Sequence, residues 1–101
     1  MKDIYEVLAS PSRREILRLV SQQERCVSEL AEQLQLSQPA VSKHLKALSA
    51  VGLVQVRQEK QLRWYRLSPA PLRQVDAWLE QFRHYWLNRL DALEEHLEKE
   101  R

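Results

Sequence analysis

The run Ser37-Gln38-Pro39-Ala40-Val41-Ser42-Lys43-His44-Leu45-Lys46-Ala47-Leu48 constrains this chain more than any other stretch. Val41, Leu45 and Leu48 recur at the helical period and form one apolar stripe. Ser37 is a good N-cap, and Pro39 is tolerated because it still lies in the first turn. Gly52 is the only glycine of the chain and a natural left-handed stop for this helix. The remaining sides carry Gln38, Ser42, Lys43 and Lys46. A short helix buried along one edge, with small polar and basic residues elsewhere, is a shape that a DNA major groove accepts.

The flanking sequence reads as more helix. Residues 2–9 place Ile4, Val7 and Leu8 on one side. Ser10-Pro11 reads as an N-cap and a first-turn proline, opening a helix to about Ser21 with Ile16, Leu17 and Val20 inside. Arg13 and Arg14 fall in its first turn, where the helix dipole disfavours cations, so some partner is expected to hold them there. Gln22 to Arg25 reads as a loop, and Val27 to Gln35 as a third helix. Leu36 then leads tightly into Ser37.

After Gly52 the period changes. Leu53–Arg57 and Leu62–Leu67 read as two strands joined by Gln58-Glu59-Lys60-Gln61. Ser68-Pro69-Ala70-Pro71 punctuates. A last helix is expected from about Leu72 to Lys99, with Leu72, Val75, Leu79, Phe82, Trp86, Leu90, Leu93 and Leu97 near the helical period. At 1.5 Å per residue it would be roughly 40 Å long, more than a domain of this size needs to cover its own core. The expected fold is mainly α with a small β-hairpin, a winged helix-turn-helix of order α1-α2-α3-α4-β1-β2-α5. Residues 37–51 form the recognition helix, 53–67 the wing and 72–99 the C-terminal helix.

Charge is distributed unevenly. Residues 37–67 carry six cations and one anion, a net +5, whereas residues 71–101 carry a net −2. A basic middle beside an acidic tail points to a polyanionic partner. In a helix-turn-helix reading, Gln38, Ser42 and Lys43, with Ala40 or His44, are placed to meet base edges, and His44 reads otherwise as a structural residue or a phosphate donor, not a catalyst. Ser37, Pro39 and Lys46 complete that contact set. Arg57, Lys60 and Arg63 on the wing would contact phosphates, which supplies affinity and salt dependence rather than sequence choice. No apolar run approaches the ~18 residues of a membrane span, so no membrane insertion is expected. A single cysteine excludes an internal disulfide and fits a reducing, cytoplasmic setting. No phosphate loop, paired carboxylate site or nucleophile–base pair is legible, so an enzyme is not expected.

The ordered set Leu8–Leu17, Leu30–Leu34, Leu36–Leu45, Gly52-Leu53-Val54 and Trp64–Leu67 resembles the ArsR/SmtB family of winged-helix repressors. The C-terminal pattern Trp78, Phe82, Trp86 and Leu90–Leu93 is similar to that family's SdpR-like branch, whose members often lack metal sites. The resemblance implies a bacterial homodimer on a double-stranded operator with two half-sites. It also implies a dimer interface built from the first and last helices, here Ile4, Tyr5, Leu8, Trp78, Phe82, Tyr85, Trp86, Leu90, Leu93 and Leu97. Where many family sensors carry Cys-Val-Cys, this chain reads Cys26-Val27-Ser28. One thiolate cannot build a three- or four-ligand soft-metal site. On the last helix, neither His84 nor His96 has an Asp two residues before it, and Lys99 stands where His96 would need a Glu. No metal site and no cofactor are therefore expected. Two alternatives stand beside this reading: a protein-interaction module docking through Trp64 and the last helix, and a repressor responding through the Cys26 thiol. The SdpR-like resemblance also admits a protein partner that sequesters the repressor.

Overall fold

The computed structural model describes residues 3–99, apart from the side chains of residues 90–92, 95, 98 and 99. Its elements run α1 (Ile4–Leu8), α2 (Pro11–Gln22), α3 (Val27–Leu34), α4 (Gln38–Ala50), β1 (Val54–Glu59), β2 (Leu62–Leu67) and α5 (Leu72–Lys99). The expected element order is the observed one.

Three of the first four helices, α1, α2 and α4, begin on a side-chain cap, while α3 starts at Cys26 without one. Asp3 accepts from the Glu6 N–H, Ser10 from the Arg13 N–H and Ser37 from the Ala40 N–H. Such caps satisfy amide donors that the helix itself leaves unpaired. Proline stands in the first turn of both α2 and α4, where its missing N–H costs nothing.

Two left-handed turns then fix how α4 enters and leaves. At its exit Gly52 has φ +77°, and Leu53 N–H bonds Leu48 C=O at 3.0 Å while Gly52 N–H bonds Ser49 C=O at 3.0 Å. That bond pair is the Schellman closure. At its entry the same closure is made without glycine. Gln35 adopts φ 56°, with Leu36 N–H on Ala31 C=O at 3.1 Å. A side chain in this conformation costs on the order of 1 kcal/mol, and the turn joins α3 to α4 without slack.

One core holds the helices together. Ile16, Leu30, Leu45, Leu48, Leu53, Val7 and Val41 have relative exposures below 2%. The α4 stripe read from the sequence is therefore the buried edge, with Val41, Leu45 and Leu48 packed among residues of α1, α2 and α3. Leu53 is part of this core rather than of the hairpin. Strand β1 starts one residue later than expected and runs on to Glu59, so Lys60 and Gln61 alone form the turn. The antiparallel register runs from Val54↔Leu67 to Glu59↔Leu62. Lys60 takes φ 58°, as a residue of a tight two-residue hairpin turn does.

The segment read as a loop before α3 has a structural role. Arg25 N–H bonds Tyr65 C=O at 3.0 Å, and Tyr65 N–H returns to Arg25 C=O at 2.8 Å. This single bridge adds a third short rung to the hairpin and roots it on the helical body.

Helix α5 starts on the core through Leu72 and Val75 and then leaves it. The molecule measures 63 × 30 × 20 Å with a radius of gyration of 18.4 Å, against roughly 13 Å for a compact chain of this length. Trp78, Phe82, Tyr85, Trp86, Leu87, Leu93 and Leu97 are 40–54% exposed. Tyr5 of α1 packs edge-on against Trp78, and Trp78 against Phe82, at centroid distances of 6.1 and 5.1 Å. One expectation for the dimer face needs correcting. Ile4 is 4% exposed and belongs to the chain's own core, whereas Leu8 packs on that core and stays partly exposed. The one-sided α1 turn points Ile4 and Val7 inward and leaves Tyr5 outward. The side chain of Leu90 lies outside the described part of the structure.

Candidate nucleic-acid interface

Burial of Val41, Leu45 and Leu48 fixes the rotation of α4, and with it the residues that face out. Ser37, Gln38, Pro39, Ser42, Lys43 and Lys46 are exposed, while Ala40, His44 and Ala47 sit half-buried on one flank. The polar side of α4 is bordered by a groove on each hand. Toward the hairpin, a groove of about 360 Å³ is lined by Ser42, Leu45, Lys46, Ser49, Val56, Arg63 and Tyr65. Toward α2, a cleft of about 550 Å³ is lined by Arg13, Lys43, His44, Lys46, Ala47 and Ala50. The structure thus brings Lys43, Lys46 and Arg63, three of the expected contacts, to one side of the molecule, with Arg13 added. Gln38 and Arg63 also border a smaller cleft with Cys26, Val27, Ser28, Gln61 and Leu62.

The cations of this region divide by what they touch. Among the described residues, Lys43, Lys46, Lys60 and Arg63 have no ion pair or side-chain hydrogen bond. Arg57 differs. Its guanidinium donates to Glu59 at 2.8 Å and to Glu24 at 3.2 Å, and these hydrogen bonds raise its pKa further above its ordinary value. Two carboxylates already compensate this charge, so Arg57 ties the wing to the loop before α3 instead of standing bare for phosphate. Arg66 is likewise engaged, donating twice to the Gln55 side-chain oxygen at 2.8 and 3.1 Å across the hairpin.

The partners of the two first-turn arginines are now identifiable. Arg14 Nη1 donates to Leu8 C=O at 2.8 Å, putting a cation on the carbonyl end of α1, where the dipole welcomes it. Arg13 Nε donates to Nδ1 of His44 at 3.3 Å. Burial, with the adjacent Arg13 charge, holds the His44 pKa below that of an ordinary histidine. The sequence carries no local sign of this contact, because the two residues are 31 apart.

Cys26 is the N-cap residue of α3 and is buried, with its Sγ 3.1 Å from Ser28 Oγ and 3.6 Å from a Glu29 carboxylate oxygen. Among the described residues, no three of His, Cys, Asp and Glu are grouped as a metal would need. No described helix is long and apolar enough to cross a membrane.

A helix-turn-helix whose second helix is flanked by bare cations and followed by a rooted hairpin defines the winged-helix class of DNA-binding proteins. Residues 10–56 match the model of the bacterial regulatory protein, arsR family. The arsenical resistance operon repressor of Staphylococcus aureus is 40% identical over 72 residues, covering 71% of this chain and 69% of that protein. The transcriptional repressor SdpR of Bacillus subtilis is 26% identical over 81% of this chain and 91% of its own length. Among solved structures, a possible transcriptional regulator for arsenical resistance superposes with a TM-score of 0.76 at 38% identity, covering 91% of this chain and 96% of that one. The homodimeric winged helix-turn-helix DNA-binding domain Mb0332 from Mycobacterium bovis superposes with a TM-score of 0.64 at 29% identity, covering 79% and 74%. The chain belongs to the ArsR family of DNA-binding transcriptional regulators, and the relatives it matches are regulators, not enzymes.

Proposed function

We propose that this chain is a homodimeric repressor that seats one α4 from each protomer in successive major grooves of an operator. Gln38, Ser42 and Lys43 meet base edges, while Lys46, Lys60 and Arg63 meet phosphates. The subunit interface is formed by Tyr5 of α1 and the exposed aromatic and leucine side chains of α5. The observation that carries the reading is the uncompensated charge of Lys43, Lys46, Lys60 and Arg63 around a helix whose other edge is fully buried. Elsewhere Arg18, Arg57 and Arg83 each hold a carboxylate. The half-exposed aromatic row of α5 supports the dimer, because a patch of this kind on a small domain marks an interface. The homodimeric Mycobacterium bovis domain supports it from the fold.

The names of the staphylococcal relative and of one structural neighbour raise an arsenical signal. Thiophilic ions take sets of sulfur ligands. This chain offers one thiol, hydrogen-bonded to Ser28 and Glu29. The donor set does not fit, and the proposal is a repressor without a resident thiolate metal site.

Retardation of DNA fragments from upstream of its own gene tests the reading. A folded dimer that shifts no fragment at low salt contradicts it. Lys60→Ala is expected to weaken binding to all sequences alike and to flatten the salt dependence by about one ion. A changed base preference would remove the wing from the phosphate-contact set.

A further inference from the structure

The cleft between α2 and α4 holds a contact that the interface described above does not use. Arg13 reaches from the first turn of α2 to the recognition helix, and its Nε–H donates to His44 Nδ1 at 3.3 Å. A ring nitrogen that accepts a hydrogen bond carries no proton, so the neutral imidazole must hold its only hydrogen on Nε2. No described protein group pairs with that Nε2. The half-buried ring borders the cleft of about 550 Å³ in which Lys43 and Lys46, both on α4, are the other charged groups besides Arg13. Among the described residues, no carboxylate lines it. A pocket of this composition suits an anion, and on this side of the molecule the anion at hand is a DNA phosphodiester.

We propose that Arg13 is a positioning residue for DNA recognition: from α2 it holds His44 in the Nε2–H form, so the imidazole meets a backbone phosphate as a neutral donor of fixed orientation. The inference rests on the DNA-binding reading and deepens it. Three cations already line the cleft, and a fourth positive charge there would be repelled by them. Burial and the Arg13 charge act in the same direction, keeping the ring neutral. The contact is therefore present at neutral pH without a proton being taken up.

Two measurements on the full-length protein decide this. Nitrogen-15 spectra of the free protein, with His44 assigned by the signal missing from His44→Gln, are expected to show the Nε2–H tautomer at pH 7. In Arg13→Met both tautomers should be populated, and the ring should titrate nearer an ordinary histidine. Operator affinity of the wild type should then vary less between pH 8 and 6 than that of Arg13→Met. Arg13→Met should bind about fivefold more weakly at pH 8, the effect of one hydrogen bond, and recover as the pH falls and the imidazolium donates from both nitrogens. Parallel pH profiles for the two proteins, or an Nδ1–H tautomer in the wild type, would overturn the proposal. Should Arg13→Met unfold, His44→Gln carries the test. Its amide offers Arg13 an acceptor and the phosphate a donor, so it should bind far better than His44→Ala and without pH dependence. Equal losses in those two variants would also overturn the proposal. Absence of any DNA binding by wild type would instead remove the DNA-binding reading itself, and the inference with it.

Discussion

Helices α4 and α5 are both amphipathic, yet they use their two faces in opposite ways. In α4 the apolar edge is spent inside the protomer. Val41, Leu45 and Leu48 are at most 1% exposed, and what remains outside is polar and basic. In α5 only the first turn is anchored, and the apolar row from Trp78 onward stays half-exposed. A helix that has completed its hydrophobic burial and still shows bare cations is suited to a polyanion. A helix that has not completed it is suited to another protein surface. The contrast teaches that the period of a helix says where its apolar face is, and only the packing says whose core that face joins.

The largest effect should come from blurring the contrast in α4. Leu45→Ala removes a fully buried side chain from the core and is expected to cost roughly 2–5 kcal/mol of stability, read by denaturant unfolding. A loss near zero would mean that α4 is not held by this stripe. Next comes α5. Phe82→Glu with Trp86→Glu places charges on the exposed row and should dissociate the dimer by sedimentation while leaving the helical spectrum nearly unchanged. Loss of fold in place of dissociation would show that the row belongs to the protomer's core. A smaller change is expected at the turn between α3 and α4. Gln35→Gly relieves a left-handed side-chain residue and should stabilise by about 0.5–1 kcal/mol, with DNA affinity unchanged. A stability loss would show that the Gln35 side chain has a role beyond the turn. The smallest effect should be that of pH. Because His44 has a depressed pKa in the folded state, folding excludes its proton, so stability present above about pH 6.5 should decline as the pH falls below it. The decline should be reduced in His44→Gln.

Much of α4 was legible because its cap, its stripe and its stop all lie within one short segment. Ser37, Val41-Leu45-Leu48 and Gly52 each carry a local signature, and the structure places each in that role. The other left-handed turn was not legible, since glutamine at Gln35 gives no sign of its conformation. The hairpin turn was read too long because Gln58 and Glu59 look like loop residues, although β-pairing with Arg63 and Leu62 keeps them in the strand. Pairings between distant residues were beyond reach. Arg57 with Glu24, Arg25 with Tyr65 and Arg13 with His44 are set by how elements meet in space. Ile4 and Tyr5 illustrate the same limit at short range. In a helix of five residues, adjacent side chains divide between core and surface, and only the packing assigns them.

The central claim is that α4 reads DNA as one of a pair held together by α5. Footprinting on its operator, with the stoichiometry measured on the same duplex, tests it most directly. Two chains per site, protecting two major-groove patches about 34–36 Å apart, is the predicted result. A single patch protected by one chain, in a protein that remains dimeric through α5, would contradict the account.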